Sequence, residues 1–230
     1  MDVEGWDAEG WVLAGGRSLR MGRDKAAVAL AGRPLLEHME DKLRAVGLRA
    51  RVAGLHAPIQ YSTEYSAADV AGAGQSDAYP DIHPGCGPLS GMETALSKSE
   101  APLVLIVGVD LPLLETEFLA WMLRRASTTG AMATVPRAGG KPQPLCAVYR
   151  QELLDRVTAA LNAGDYKVMM AVERATAGGR LDCFDVERVA ATGAWRSTRA
   201  THWQFMNCNT PEELALAAAL LAEEHFPEVR

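Results

Sequence analysis

The chain has 230 residues, of which 48 % are hydrophobic and 23 % are charged, a composition typical of a globular protein with a sizeable core. Its 29 acidic residues against 23 Lys and Arg give a formal net charge of -6, which argues against nucleic acid as a partner but is compatible with a local anion pocket. No apolar run approaches about 18 residues and no signal peptide is recognisable, so we expect no membrane partner and a cytoplasmic location.

Predicted strands and helices alternate along the first half of the chain. The apolar run at 11–14 predicts a buried strand that enters a glycine-rich loop. Hydrophobic residues recur at a period of about 3.6 from Pro34 onward, which predicts a helix ended by Gly47. A second strand is expected at 48–54, and residues 55–87 are expected to form loops and short strands.

The second half begins with the strongest predicted strand, PLVLIVGVD, whose continuous apolar run indicates burial on both faces, as at the centre of a parallel sheet. Thr210 and Pro211 mark the start of the last helix as its cap and first residue. The predicted elements are this strand at 102–110, a helix at 116–126, strands at 131–136 and 144–149, and helices at 151–164 and 210–225. The alternation indicates an α/β, Rossmann-like fold with a mostly parallel central sheet and helices on both faces.

The cysteines and histidines show no pattern of metal ligands. The cysteines are widely spaced and form no CxxC pair, which fits reduced thiols better than disulfides or a zinc site. Each cysteine is expected to be a small buried hydrophobic residue. The five histidines are scattered, and no two have metal-ligand spacing.

The segment LAGGRSLRMGRDK, residues 13–25, follows the first predicted strand, where ligands bind in sheets of this kind. Its glycines allow close approach of a ligand, and its backbone N–H groups can bind an anion. Full positive charges come from Arg17, Arg20, Arg23 and Lys25. A phosphate-binding loop and a solvated surface loop both fit this composition, and neither GxGxxG nor GxxxxGK[ST] is present.

Asp110 lies in VGVDLP, just past the strongest predicted strand and on the same sheet edge as the loop. A carboxylate there can hold Mg2+, which takes one or two carboxylates together with substrate phosphate oxygens. The alternative is a cap for the next helix. Leu111 and Pro112 delay that helix and Thr116 is the better cap, so the position favours metal binding.

The segment at 81–98, DIHPGCGPLSGMETALSK, predicts a helix with Pro88 at an early position. Its N-terminus offers unpaired N–H groups to an anion. The Asp81 carboxylate can accept hydrogen bonds from the N1–H and the exocyclic amine of a guanine. It can equally close a turn on its own backbone, and the sequence leaves both roles open.

Asn207 and Asn209 alternate in QFMNCNTPEEL, so an extended backbone would direct both side chains to one face. That arrangement suits binding of a second polar substrate. Paired asparagines before a helix also suit turn and capping roles, and both interpretations remain open.

Five motifs, in this order, resemble those of the MobA-type molybdenum cofactor guanylyltransferases: LAGGRSLRMGRDKA, GPLSG, VGVDLP, KPQPLCAVY and NCNTPEEL. They extend from Leu13 to Leu214, so the resemblance covers nearly the whole chain. It implies a single nucleotidyltransferase domain, residues 1–230, of the nucleotide-diphospho-sugar transferase type. Within it the nucleotide half would be about 10–112 and the acceptor half about 113–230.

The activity that the resemblance implies is transfer of GMP from GTP to the terminal phosphate of the molybdopterin-type molybdenum cofactor, with release of pyrophosphate. Mg2+ is the implied cofactor. Besides GTP and the molybdenum cofactor, proteins that deliver the cofactor or mature molybdoenzymes are possible partners. The alternatives are a cytidylyl- or other nucleotidyltransferase with a different phosphorylated acceptor, and a non-catalytic nucleotide-binding homologue.

The resemblance also implies roles for individual residues. The base and ribose would be lined by Leu13, Ala14 and Gly15, and the triphosphate would be held by Gly16, Arg20 and Lys25. Mg2+ would bind Asp110, and the guanine would contact Asp81. The acceptor would be bound by Pro142, Gln143, Pro144, Asn207 and Asn209. The catalytic residues would be Arg20, Lys25 and Asp110.

A mechanism follows from these implied parts. The acceptor phosphate is already ionised at neutral pH, so its in-line attack on the α-phosphorus of GTP needs no general base from the protein. Catalysis would come from positioning and from cations that neutralise the charge developing on the pyrophosphate.

Overall fold

In a computed structural model, the chain is described over residues 5–15, 25–55 and 77–224. Gly16, Arg17, Arg20 and Arg23 lie outside these ranges, as do residues 56–76. The described strands are β1 (Ala8–Leu13), β2 (Ala29–Leu30), β3 (Arg33–Pro34), β4 (Ala50–Ala53), β5 (Asp77–Tyr79), β6 (Leu103–Gly108), β7 (Ala133–Ala138), β8 (Lys141–Pro142), β9 (Cys146–Arg150) and β10 (Leu181–Asp185).

The α-helices of the described ranges are α1 (Leu35–Ala45), α2 (Pro88–Lys98), α3 (Thr116–Thr129), α4 (Leu154–Asn162), α5 (Val168–Ala175), α6 (Val186–Ala190) and α7 (Pro211–Glu224). Three 3₁₀ turns accompany them: Lys25–Ala27, Gln151–Leu153 and Thr201–Phe205. In the same ranges, none of the helices combines the length and apolar character needed to cross a membrane.

Eight strands form one sheet in the order β10-β7-β9-β6-β1-β4-β5, with β8 paired to β7. β1 is parallel to β4 and β6, β4 is parallel to β5, and β7 is parallel to β10. β9 runs antiparallel to both β6 and β7. The predicted mostly parallel sheet is confirmed. The sequence predicted parallel neighbours on both sides of β6, but β9 is antiparallel to it. An apolar run indicates burial on both faces of a strand and does not indicate the direction of its neighbours.

Alternate side chains of the central strands enter two separate cores. On β6, Leu105 and Val107 pack into one core, and Val104 and Ile106 pack into the other. Helices α1, α3, α6 and α7 cover the first core, whereas α2, α4 and α5 cover the second. The predicted helices on both faces of the sheet are therefore present.

Local sequence signals set several helix ends. Pro88 is the first residue of α2, where its missing N–H costs nothing, and α1 is followed by Gly47 with φ 87°. Before α7, Glu213 Oε2 accepts from the N–H groups of Asn209 at 2.6 Å and Thr210 at 3.0 Å. In return, Thr210 Oγ1 accepts from the Glu213 N–H at 3.2 Å, which completes a capping box. These three predicted boundaries are confirmed.

Other boundaries differ from the prediction because buried acidic residues interrupt the apolar pattern. β1 starts three residues before the predicted strand, and it includes Glu9, which is buried 3.4 Å from Arg51 of β4. Thr116 is the first residue of α3 and not its cap. The cap position belongs to Glu115, whose carboxylate is engaged by residues 197–204 and makes no capping bond.

The stretch between α4 and α7 contains elements that the sequence did not predict. α5, β10 and α6 have only eight, five and five residues, too few to repeat a clear hydrophobic period. Cys183 lies on β10, the edge strand, and is exposed, which corrects the expectation that every cysteine is buried. Cys146 and Cys208 are buried as expected.

Candidate functional site

The carboxyl ends of β6, β1, β4 and β5 lie side by side at one edge of the sheet, where ligands bind in folds of this kind. Backbone hydrogen bonds continue the strand pairing into the loops. Ala14 N–H donates to Ala53 O at 2.9 Å, and Gly54 N–H donates to Tyr79 O at 2.9 Å. This edge brings together four residues that follow the strands: Gly15, Gly54, Asp81 and Asp110.

The Asp81 carboxylate lies in a cradle of three glycines. A Cβ placed on Gly15 would lie 3.2 Å from Asp81 Oδ2, and one on Gly54 would lie 3.3 Å from Oδ1. Gly91 of α2 forms the third wall, with its Cβ position 3.6 Å from Oδ1. Asp81 itself is half-buried, and its Oδ1 is excluded from solvent. The carboxylate is thus held where β1, β4 and α2 meet.

Lys25, Asp110 and Asn209 form a second cluster at this edge. Lys25 Nζ lies 2.7 Å from Asp110 Oδ2, and it also donates to Asn209 Oδ1. The side chains of Lys25 and Asp110 are 15 % and 22 % exposed, so the pair is partly shielded but open to a ligand. Three distant parts of the chain meet here: the end of the 13–25 loop, the end of β6 and the start of α7.

Gly108, the last residue of β6, makes room for the Asp110 side chain. A Cβ at Gly108 would lie 2.7 Å from Asp110 Oδ1, closer than such an atom can stand. The Gly108 N–H also donates to Leu145 O at 2.7 Å, and Cys208 N–H donates to Asp110 O at 2.9 Å. The backbone therefore fixes the carboxylate at the strand end from two sides.

The segment that contains Pro142, Gln143 and Pro144 runs from β8 to β9 and reaches the same edge through Leu145. Its shape is fixed by local bonds: Gln143 N–H donates to Pro136 O at 2.8 Å, and the Tyr149 hydroxyl donates to Pro144 O at 2.7 Å. The three residues are partly exposed. The contact of these three residues with an acceptor stays a prediction.

Asn207 and Asn209 flank Cys208 in the segment that leads to α7, and the prediction that both side chains share one face stays a prediction. Cys208 is buried, Asn207 is exposed and Asn209 is intermediate. Burial, together with the nearby carboxylates of Asp110 and Glu213, raises the pKa of the Cys208 thiol to about 12. The thiol is therefore protonated at neutral pH and is not a nucleophile, although it lies beside Asp110.

The other residues predicted to bind the nucleotide differ in how far they are buried. The side chains of Leu13 and Ala14 are buried in opposite cores, and their contact with a base or ribose stays a prediction. Gly15 is the exposed member of the trio. The predictions for Gly16 and Arg20 lie outside the described residues.

The chemistry of the cluster fits a single-carboxylate Mg2+ site. Within the described ranges, no group of three or more His, Cys, Asp or Glu side chains converges as a metal cage would require. Mg2+ needs no such cage, because it takes one or two carboxylates and completes its shell with phosphate oxygens and water. Asp110 offers that carboxylate, seated over Gly108 and partly exposed.

Sequence reasoning did not name Gly54 among the site residues. The signal was available, because Gly54 ends the predicted strand at 48–54 and therefore reaches the same sheet edge as Gly15. It also did not name Ser90, Glu93 and Thr94 of α2, which bind the backbone and side chain just after Asp81. Their buried polar character, on a helix that packs against a sheet, shows only once the contacts are known.

Comparison with known proteins gives a family match over most of the chain. Residues 10–178 match the MobA-like NTP transferase domain. A probable molybdenum cofactor guanylyltransferase from Deinococcus radiodurans is 34 % identical over 208 residues, which is 89 % of this chain and 90 % of that protein.

Solved structures with the same architecture include a molybdopterin-guanine dinucleotide biosynthesis protein A from Archaeoglobus fulgidus. It has a TM-score of 0.71 and 23 % identity, and the match covers 94 % of this chain and 99 % of that one. A 2-C-methyl-D-erythritol 4-phosphate cytidylyltransferase from Thermus thermophilus has a TM-score of 0.61 and 17 % identity, with 92 % and 98 % covered. At these identities the likenesses show the nucleotidyltransferase fold and leave the base and the acceptor open.

Proposed function

The chain belongs to the MobA-like NTP transferase family, and from this premise we infer that it transfers GMP from GTP to the terminal phosphate of a molybdopterin-type molybdenum cofactor. Pyrophosphate is the second product. The observation that carries the proposal is the cluster of Lys25, Asp110 and Asn209, which joins the nucleotide loop to the acceptor half of the chain. A reaction between two phosphate-bearing substrates needs such a junction, because both must be held in line.

Lys25 supplies the positive charge of the junction. Its ammonium group is fixed by Asp110 Oδ2 and Asn209 Oδ1, so its position is set before a substrate arrives. A preorganised cation of this kind stabilises the negative charge that develops on departing pyrophosphate. The attacking acceptor phosphate is already an anion, so the protein is not required to remove a proton.

Asp110 would hold Mg2+ through its partly exposed carboxylate, with the substrate phosphates as further ligands. When bound, the ion supplies a Lewis acid that neutralises phosphate charge. Asn209 orients Lys25 through its Oδ1, while the exposed Asn207 side chain is available to a second substrate. Asp81, in its glycine cradle, would accept from the N1–H and the exocyclic amine of guanine.

The proposal is tested by acceptor-dependent release of pyrophosphate from GTP and Mg2+. We expect Lys25→Ala and Asp110→Ala each to reduce the rate by about 100-fold or more, the scale of losing one preorganised charge at a reacting centre. Lys98→Ala and Asp155→Ala are matched controls, because both side chains are exposed on helices away from this cluster. Circular dichroism and thermal unfolding check that every variant folds. Full activity in both site variants would contradict the assignment.

A further inference from the structure

Three buried polar side chains of α2 bind the two residues that follow Asp81. The Ile82 N–H donates to Thr94 Oγ1 at 3.1 Å, and the His83 N–H donates to Ser90 Oγ at 3.0 Å. The His83 ring places Nδ1 2.6 Å from Glu93 Oε2. We refer to Ser90, Glu93 and Thr94 as the α2 clamp.

The α2 clamp is itself rigidly held. Ser90 and Thr94 are 0 % exposed and Glu93 is 2 % exposed. The Thr94 hydroxyl donates to Ser90 O at 3.0 Å, one helical turn back, which fixes its oxygen as the acceptor for Ile82. The second oxygen of Glu93 accepts from Thr158 Oγ1 of α4 at 2.7 Å. Neither Ile82 nor His83 can shift without breaking bonds to buried groups, which is costly.

The same helix also forms part of the cradle around the carboxylate. Gly91 follows Ser90 on α2, and its Cβ position lies 3.6 Å from Asp81 Oδ1. α2 therefore contacts the Asp81 carboxylate through Gly91, and it fixes the next two residues through the clamp. One helix therefore acts on Asp81 at two points, beside its carboxylate and at the two residues that follow it.

We propose that the α2 clamp determines base selectivity by positioning Asp81. The inference rests on the proposed function, in which Asp81 recognises guanine. A carboxylate that accepts two parallel hydrogen bonds from a base edge requires a fixed position, since a small displacement lengthens both bonds. The clamp residues do not touch the base themselves, so they are positioning residues.

The test compares GTP with inosine triphosphate, which has the N1–H but lacks the exocyclic amine. Wild-type enzyme is expected to prefer GTP by about tenfold or more in kcat/KM, because the exocyclic amine of guanine donates a charge-assisted hydrogen bond to the carboxylate that inosine cannot donate. Thr94→Val and Ser90→Ala are each expected to reduce this preference by about fivefold, the worth of one hydrogen bond to the Asp81 loop. The loss should appear in KM for GTP, with kcat within about twofold of wild type. Glu93→Gln, which keeps an acceptor for His83, should retain more of the preference than Glu93→Ala.

Thr176→Val is the matched control. Thr176 is a buried threonine whose hydroxyl also donates to a carbonyl one turn back, at 2.7 Å, but it lies at the end of α5. The Thr176→Val variant should have a lower free energy of unfolding, as Thr94→Val does, and should keep the wild-type preference for GTP.

Failure of guanine recognition and failure of the α2 clamp give different results. A wild-type enzyme that uses both nucleotides equally, or that prefers CTP, would overturn guanine recognition and the clamp with it. A wild-type preference that survives in Ser90→Ala and Thr94→Val as well as in Thr176→Val would overturn the clamp alone. If Thr94→Val does not fold, Ser90→Ala decides, because it removes one small hydroxyl and leaves the backbone of α2 intact.

Discussion

At the scale of single residues, the shape of the site depends on glycines, which have no side chain. Gly54 has φ 90°, a conformation that L-residues rarely adopt, and its backbone packs on Gly15. A Cβ on Gly54 would lie 2.5 Å from Gly15 Cα and 3.3 Å from Asp81 Oδ1. This contact holds the residues that follow β1 and β4 against each other, beside the Asp81 carboxylate. Gly54 thus sets the width of the cradle.

We predict that Gly54→Ala weakens GTP binding by at least about tenfold, since the added methyl group displaces Gly15 or Asp81. Strain in the backbone and the steric overlap should together lower the free energy of unfolding by about 2–5 kcal/mol. Isothermal titration with GTP and urea unfolding measure the two effects.

Gly130→Ala is the control that separates backbone strain from steric overlap. Gly130 also has a positive φ, of 65°, but no atom lies within 4 Å of its Cβ position. Its alanine variant should lose about 1–2 kcal/mol and bind GTP as wild type does. Equal binding by both variants would show that the Gly54 contact does not shape the site.

At the scale of elements, Glu115 links the start of α3 to the segment that leads to Asn207 and Asn209. Its carboxylate accepts from five donors of residues 197–204, and its own N–H donates to Gln204 at 3.4 Å. Those donors include two backbone N–H groups, so the carboxylate fixes the path of the chain. The 3₁₀ turn Thr201–Phe205 follows, and Cys208, between the two asparagines, donates its N–H to Asp110 O at 2.9 Å.

Glu115→Ala should therefore affect the acceptor more than the nucleotide. We expect kcat/KM for the acceptor to fall by about tenfold to 100-fold, since misplacing a binding segment has effects of that size. The KM for GTP should stay within about twofold. The free energy of unfolding should fall by about 2–3 kcal/mol, because the buried Gln204 side chain and the backbone N–H groups of Thr198 and Arg199 lose their partner.

Glu117→Ala is the control, because Glu117 is an acidic residue of the first turn of α3, two residues after Glu115. It should change the free energy of unfolding by no more than about 1 kcal/mol. An equal loss of kcat/KM for both substrates in Glu115→Ala would mean that the carboxylate supports the whole fold and not only the segment that leads to Asn207 and Asn209.

The sequence predicted elements best where a strong period or a terminal signal was present. α1 and α7 combine an apolar stripe with Gly47 or with Thr210 and Glu213, and both were found close to their true bounds. β1 was shortened in the prediction because Glu9 is an acid, although its pairing with Arg51 allows it to be buried. Long-range pairs of this kind leave no trace in a local pattern.

At the scale of the whole molecule, the location of the site was predictable and its internal contacts were not. Strand ends in an α/β sheet share one edge, so Asp81 and Asp110 could be placed near Gly15 from the order of the motifs. The approach of Asn209 to Lys25 could not be predicted, because the two residues are separated by 184 positions in the sequence and meet only through the tertiary fold. For the same reason the direction of β9 was missed, although its residues were correctly predicted as a strand.

The assignment of a nucleotide half and an acceptor half to the chain remains a prediction. The two halves are nevertheless joined directly by the sheet. One sheet includes strands from both halves, and the pairing of β6 with β9 joins them. Through Gly108 and Leu145, this pairing brings the Pro142–Pro144 segment to the end of β6, where Asp110 lies. The proposed acceptor and nucleotide sides therefore meet at a rigid strand end.

The most direct test of the proposal is nucleotide selection in a single reaction. The protein, the molybdenum cofactor and Mg2+ are mixed with equal concentrations of GTP, CTP, ATP and UTP, and the dinucleotide product is identified by mass spectrometry. We expect the guanine dinucleotide to predominate and pyrophosphate to form in equal amount. A predominant cytosine dinucleotide, or no dinucleotide from any of the four nucleotides, would contradict it.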